Sequence, residues 1–208
     1  MGETGIRVAI VDDHPAVREG IRSLLAAEPG ISLAAAVADA RGAVRLARRT
    51  PTDVVVVDYH LPDEHGLSLC LRLKNLAGPP KVLIYSGFAD HRLAVAATVA
   101  GADALLAKGS DPDELPRTVR GLAAGRTYLP AIPPAALQSA GSLLDPGDLP
   151  ILGLLRHGTP PPEVAEALGT SADWLRGRRW AMLERLLQRP ARRGAAGRAA
   201  GLTAAQGG

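Results

Sequence analysis

The stretch Val54-Val55-Val56-Val57-Asp58 is four β-branched residues closed by a carboxylate. A continuous apolar run of strand length fits a strand buried on both faces, and an acid at its end lies where such a strand meets solvent. A second run, Ile6-Arg7-Val8-Ala9-Ile10-Val11, ends on two more acids, Asp12 and Asp13. In a doubly wound sheet the carboxyl ends of neighbouring strands meet at one crevice, so the three acids are predicted to share it. There they repel one another and each resists ionising. A divalent cation relieves that conflict, and oxygen ligands suit Mg²⁺.

Outward from these runs the chain alternates. Strands are predicted at residues 7–11, 32–37, 53–58, 81–86 and 104–107, with helices near 16–27, 40–49, 67–75, 92–100 and 113–124. Strict β-α alternation with short connections predicts an α/β doubly wound fold, a parallel sheet with helices on both faces. Residues 129–143 hold three prolines and no charge, which predicts a linker of limited flexibility between two domains. Three helical patterns follow without a strand, near 149–156, 162–168 and 172–187. The last two are joined by Gly169-Thr170-Ser171, where Ser171 is a candidate N-cap, so a helix–turn–helix is expected. Residues 190–208 are mostly Ala, Gly and Arg and are expected to fray.

The chain has 208 residues and one cysteine, Cys70, so no intrachain disulfide can form and a reducing cytoplasm is expected. Its neighbours Leu67, Leu69 and Leu71 make it a core thiol rather than a nucleophile. No run is long enough to cross a bilayer and the N-terminus lacks the layout of a signal peptide, so a soluble protein with no membrane partner is expected. The net charge of +3 is uneven. Residues 1–128 carry 15 basic and 15 acidic side chains, while residues 129–208 carry 9 against 6, an excess that suits a polyanionic partner or a solvated tail.

A nucleophilic Asp58 needs an incoming phosphoryl group, a cation to offset its charge, and donors for its equatorial oxygens. Asp13 and Asp58 can bind the metal through their carboxylates, the backbone carbonyl of His60 is a third oxygen, and Asp12 acts directly or through water. Ser86 ends the fourth strand and Lys108 follows the fifth, so both face the same crevice. A hydroxyl donates to a phosphoryl oxygen and an ammonium pairs with it as a point charge. Taken singly, each acid reads better as a helix cap or turn former, and Asp12 or Asp13 can cap a helix starting near Pro15. The set in order and register favours the functional reading. His60 and His65 read as solvent-facing loop residues.

This pattern resembles the receiver domain of two-component response regulators. The resemblance rests on Asp12-Asp13, on Asp58 followed by Leu61-Pro62 and Gly66, on Ser86, and on Lys108 after Gly101-Ala102-Asp103. It implies a receiver over residues 1–128 with a flavodoxin-like five-stranded sheet of order 2-1-3-4-5. It also implies that Asp58 takes a phosphoryl group from a sensor histidine kinase with Mg²⁺ bound, and that Ser86 and Lys108 move toward it. Receivers of this type carry Tyr or Phe in the middle of the fifth strand, where this chain has Leu105. That departure implies a weaker or differently routed coupling from site to surface.

Residues 144–189 resemble the LuxR-type helix–turn–helix of the NarL/FixJ response regulators, on Leu144, Pro146, Leu152, Leu154-Leu155, Gly158, Glu163-Val164-Ala165, Leu168, Ser171, Leu175 and Leu183. This implies a small all-α output domain whose third helix presents Arg176, Arg178, Arg179 and Arg185 to promoter DNA. The alternative for these arginines is a solvated helix face. The family's dimerisation helix would fall near 191–202, where Gly194, Gly197 and Gly201 oppose helix, so a homodimer formed that way is not expected.

The leading expectation is therefore a cytoplasmic DNA-binding transcription regulator, with no dedicated enzymatic activity. A receiver-gated protein-interaction module is the alternative, motivated by the neutral balance of residues 144–189 and the run Pro160-Pro161-Pro162. An aspartyl-phosphate phosphatase is a third reading, opposed by His60 standing where such enzymes place a second Asp.

Overall fold

A computed structural model describes residues 5–188. The expectations of a frayed tail and of a weak dimerisation helix lie outside the described residues. Five strands, β1 (Ile6–Val11), β2 (Ile31–Val37), β3 (Val54–Asp58), β4 (Lys81–Ser86) and β5 (Ala104–Ala107), form one parallel sheet of order β2-β1-β3-β4-β5. Between them run α1 (Pro15–Ala26), α2 (Ala40–Arg49), α3 (Gly66–Lys74) and α4 (His91–Ala100), and α5 (Glu114–Ala123) follows β5.

The period-two alternation of the central strands sorts two cores. Val8, Ile10, Val54, Val56 and Leu83 pack with residues of α1 and α5, including Ile21, Leu25, Leu115, Val119 and Leu122. Ala9, Val11, Val55, Val57, Val82 and Ile84 pack on the other side with α2, α3 and α4. All residues of β3 are buried, which is why four valines in a row are tolerated there. Order reverses between β1 and β3, so the carboxyl ends of these strands frame the crevice.

The chain beyond α5 departs from a linker followed by a detached domain. After α5, Tyr128 pairs along β5, donating its N–H to Asp103 and accepting that of Leu105. The stretch expected to be a linker then forms α6 (Pro134–Gly141), and Ala140 enters the core beside α4. Pro134 sits at the first turn, where a missing N–H costs nothing. A short 3₁₀ turn (Pro146–Asp148) leads into α7 (Leu149–Arg156), α8 (Pro161–Ala167) and α9 (Ala172–Leu187). Ser171 caps α9, its hydroxyl accepting from the Trp174 N–H at 3.1 Å.

These helices have no core separate from the receiver. Ile151, Leu152, Val164, Leu175, Met182, Leu183 and Leu186 join the same apolar cluster as α3 and α4. The reason is α4 itself, which reads His-Arg-Leu-Ala-Val-Ala-Ala-Thr-Val-Ala. Every residue from Leu93 to Ala100 is buried, and a helix apolar all round must be covered on every side. Helices α3, α6, α7 and α9 pack around it, and it shares one apolar cluster with Val82 and Ile84 of β4. Among the described residues no helix is long and apolar enough to cross a membrane.

Candidate functional site

The crevice holds the three acids at the ends of β1 and β3. Asp12 and Asp58 are buried and Asp13 is half-exposed. Ligand atoms of Asp12, Asp13, Asp58 and also His14 lie within 4.8 Å of one another. His14 approaches Asp13 at 2.7 Å through Nδ1 and was missed in the sequence, although it directly follows the acidic pair. Neither Asp12 nor Asp13 takes the alternative role of capping α1. The N-cap of α1 is His14 with no side-chain cap, and Asp12 instead accepts the His14 backbone N–H at 2.8 Å.

Lys108 reaches into this cluster from the end of β5. Its Nζ donates to Asp12 Oδ2 at 2.7 Å and lies 3.0 Å from Asp58 Oδ1. Burial alone would lower the pKa of this ammonium, but the bonds to Asp12 and Asp58 outweigh it and hold the pKa above its ordinary value. Ser86 is buried at the end of β4. Its hydroxyl accepts the Phe88 N–H at 3.2 Å, and its carbonyl accepts the Lys108 N–H at 2.7 Å. Asp58, Ser86 and Lys108 are thus tied through neighbouring strand ends.

The loop after β3 is shaped by close approach. A Cβ on Gly66 would stand 2.0 Å from the Asp58 carbonyl oxygen, so only glycine lets α3 begin against the end of β3. Gly66 donates its N–H to Tyr59 at 2.8 Å, closing the loop that carries His60. His60 and His65 are exposed, each against the Tyr59 ring. The donor set of three carboxylates within a few ångströms fits a hard divalent cation.

Leu105 is buried in the core beside Ile84, where its branched side chain has no polar end to carry outward. Ser86, Phe88, Asp90 and Arg92 share a cavity of about 430 Å³ with Leu186 and Leu187 of α9. Arg92 donates to the carbonyls of Leu186 at 3.3 Å and Gln188 at 3.0 Å, capping the end of α9.

The four arginines expected to face DNA are dispersed. Arg178 pairs with Asp145 at 2.8 Å and with the fully buried Asp148, and Arg185 pairs with the same two acids at 2.8 and 3.0 Å. Arg176 is exposed and pairs with Asp173 one turn earlier. Arg179 is 2% exposed and donates from Nε to the Val99 carbonyl of α4 at 2.9 Å. For Arg179 the expected DNA-facing position is corrected by register. Leu175, Arg179, Met182, Leu183 and Leu186 repeat at helical spacing, so Arg179 falls on the apolar stripe. That stripe was present in the sequence.

Residues 8–120 match the family model described as the response regulator receiver domain. The DNA-binding transcriptional activator DevR/DosR of Mycobacterium tuberculosis is 32% identical over 176 residues, covering 78% of this chain and 80% of that protein. The response regulator UvrY of Escherichia coli is 27% identical, covering 87% and 88%. A LuxR-family two-component response regulator from Aurantimonas sp. SI85-9A1 superposes with a TM-score of 0.58 at 36% identity, over 64% of this chain and 94% of that one. The response regulator RcsB in its DNA complex shares the fold at 20% identity, with a TM-score of 0.58 over 88% and 92%. With the receiver model spanning residues 8–120 and DevR/DosR 32% identical over most of both chains, the chain belongs to the response regulator family.

Proposed function

We propose that this protein is a cytoplasmic, DNA-binding transcription regulator controlled by phosphorylation of Asp58, with a sensor histidine kinase as donor and promoter DNA as target. The observation that carries the reading is Lys108, whose ammonium contacts both Asp12 and Asp58 beside the acid cluster. In the transfer, an Asp58 carboxylate oxygen attacks the phosphorus of a phosphohistidine. The P–N bond breaks, the imidazole takes up a proton and leaves, and an acyl phosphate remains on Asp58. Asp12, Asp13, Asp58 and the His60 carbonyl would hold Mg²⁺, which offsets the charge of the incoming group when bound. Lys108 turns from Asp12 and Asp58 to a phosphoryl oxygen, and the Ser86 hydroxyl, which accepts the Phe88 N–H, donates its own hydrogen to the same group. Because Leu105 offers no aromatic side chain, the change is relayed by the Ser86 to Arg92 segment to the end of α9.

The test is phosphodonor labelling with Mg²⁺, using acetyl phosphate and a partner kinase. Native protein is expected to label and Asp58→Asn to remain blank; equal labelling of both would sink the site assignment. DNA binding measured with and without beryllium fluoride is expected to strengthen with the mimic and to weaken steeply with salt.

A second reading is favoured by the engagement of Arg178, Arg179 and Arg185 within the chain. On it the output is a protein-interaction module gated by the receiver. Nucleic-acid binding that is absent or flat against ionic strength, with labelling of Asp58 intact, would favour this reading.

A further inference from the structure

Arg179 carries a polar atom that the fold does not satisfy. Its Nε is spent on Val99, but its Nη2 is buried and has no hydrogen-bond partner among the described residues. Gly101, at φ +76°, lies so close that a Cβ there would stand 2.6 Å from Nη2. Both residues line a cavity of about 660 Å³ between the receiver and the output helices. A guanidinium stays charged under nearly all conditions, and a buried one with no counterion is costly.

The charges around the cavity do not supply that counterion. Lys74, Lys81, Arg176 and Arg179 line it against one carboxylate, Asp103. Asp103 is already committed to Lys74 at 2.8 Å and Lys81 at 2.9 Å. Arg176 turns to Asp173. The cavity is therefore electropositive, and among the described residues the Arg179 Nη2 at its edge is the buried side-chain donor without a partner. One stretch of the remaining wall is apolar and stiff, made by Leu129, Leu155 and the run Pro160, Pro161 and Pro162, while Asn75, Thr98, Thr127 and Thr159 add polar groups. Proline fixes its backbone, so this wall is preorganised.

We infer that this cavity binds a small organic acid, its carboxylate on Arg179 and its apolar body against the proline wall. A carboxylate matches the planar guanidinium and supplies the missing charge. An apolar body of modest size suits the stretch of Leu129, Leu155 and the three prolines. A molecule held between the end of α4 and α9 favours the docked arrangement of the output helices, to the extent that it binds that arrangement better than an open one. The inference does not depend on phosphorylation of Asp58, because the cavity lies at the opposite end of α4 from Ser86 and Arg92.

The full-length protein is titrated with benzoate, with benzamide as its neutral counterpart and with inorganic phosphate, and followed by calorimetry and thermal shift. Benzoate is expected to bind saturably and to raise Tm, and benzamide is not. Arg179→Met is expected to weaken benzoate binding by at least about tenfold. Leu129→Phe, which narrows the apolar wall without touching Arg179, is expected to weaken it too, so the inference survives a folding defect in the first variant. No saturable benzoate effect on native protein overturns it. Undiminished affinity in both folded variants overturns it as well. Phosphate binding in place of benzoate overturns the assignment to an organic acid.

Discussion

Arg179 on the last helix donates to the backbone carbonyl of Val99 on α4, 80 residues earlier in the chain, and so fastens the output helices to the receiver from inside the core. Since α4, α6, α7 and α9 share one apolar cluster, the described region is expected to unfold in a single calorimetric transition. Leu183→Ala, at a buried α9 position, is expected to cost about 2–5 kcal/mol and to lower that one transition as a whole. Two resolved transitions, with only one shifted, would show that the output helices fold on their own.

Lys108 sets one positive charge against two buried carboxylates at once. Lys108→Met leaves Asp12 and Asp58 facing each other and is expected to cost about 2–3 kcal/mol in the absence of divalent cation. Mg²⁺ is expected to restore part of that loss, because the metal replaces the missing positive charge. The ammonium pKa is raised in the folded state, so the contribution of native Lys108 is fully present at neutral pH. It is lost only as pH climbs past about 10.4 and through the raised value. Denaturation curves with EDTA and with Mg²⁺ check both statements; an unchanged midpoint in the variant would contradict them.

Gly66→Ala tests the seat of Asp58. A methyl group there meets the Asp58 carbonyl oxygen, a backbone atom that cannot step aside alone. The variant is expected to lose roughly 3 kcal/mol and to label poorly with a phosphodonor even where it folds. Native-like stability and labelling would mean that α3 can start elsewhere.

Cys70 is fully buried and burial pushes its thiol up to about 12. Only the thiolate reacts, so the folded protein is expected to resist Ellman's reagent at neutral pH. Reaction is expected to begin as pH approaches that value or as the chain unfolds. Rapid labelling of native protein at pH 7 would be incompatible with the packing of α3 on α4.

Asp148 and Arg176 separate stability from exposure on α9. Asp148→Ala removes the buried acid that holds Arg178, Arg185 and the Asp145 N–H, and is expected to cost about 2–4 kcal/mol. Arg176→Ala is expected to change stability by less than about 0.5 kcal/mol, because its partner Asp173 is itself exposed. Any DNA-binding loss in Arg176→Ala therefore reports contact rather than unfolding, and urea titrations of both variants establish the difference.

The strands and helices of the receiver were legible because each core strand states its burial in its composition. Val54 to Val57 can only be a two-sided buried strand, and the acids, Ser86 and Lys108 fall at strand ends that parallel topology brings together. The helix inside residues 129–143 was harder to see. Its prolines and small residues lack a strong apolar period, and α6 is held by packing on α4.

For the output helices, sequence determined where they lie and, through the stripe from Leu175 to Leu186, which of their residues are apolar. Only the tertiary structure decided what that stripe meets. An apolar face specifies burial but not its partner, since the hydrophobic effect is non-directional. Here the partner is α4, which turned Arg179 from a surface cation into a buried one and left its Nη2 beside a cavity that neither domain forms alone. The acidic cluster is the opposite case, in which strand order sufficed to bring Asp12, Asp58 and Lys108 within bonding distance.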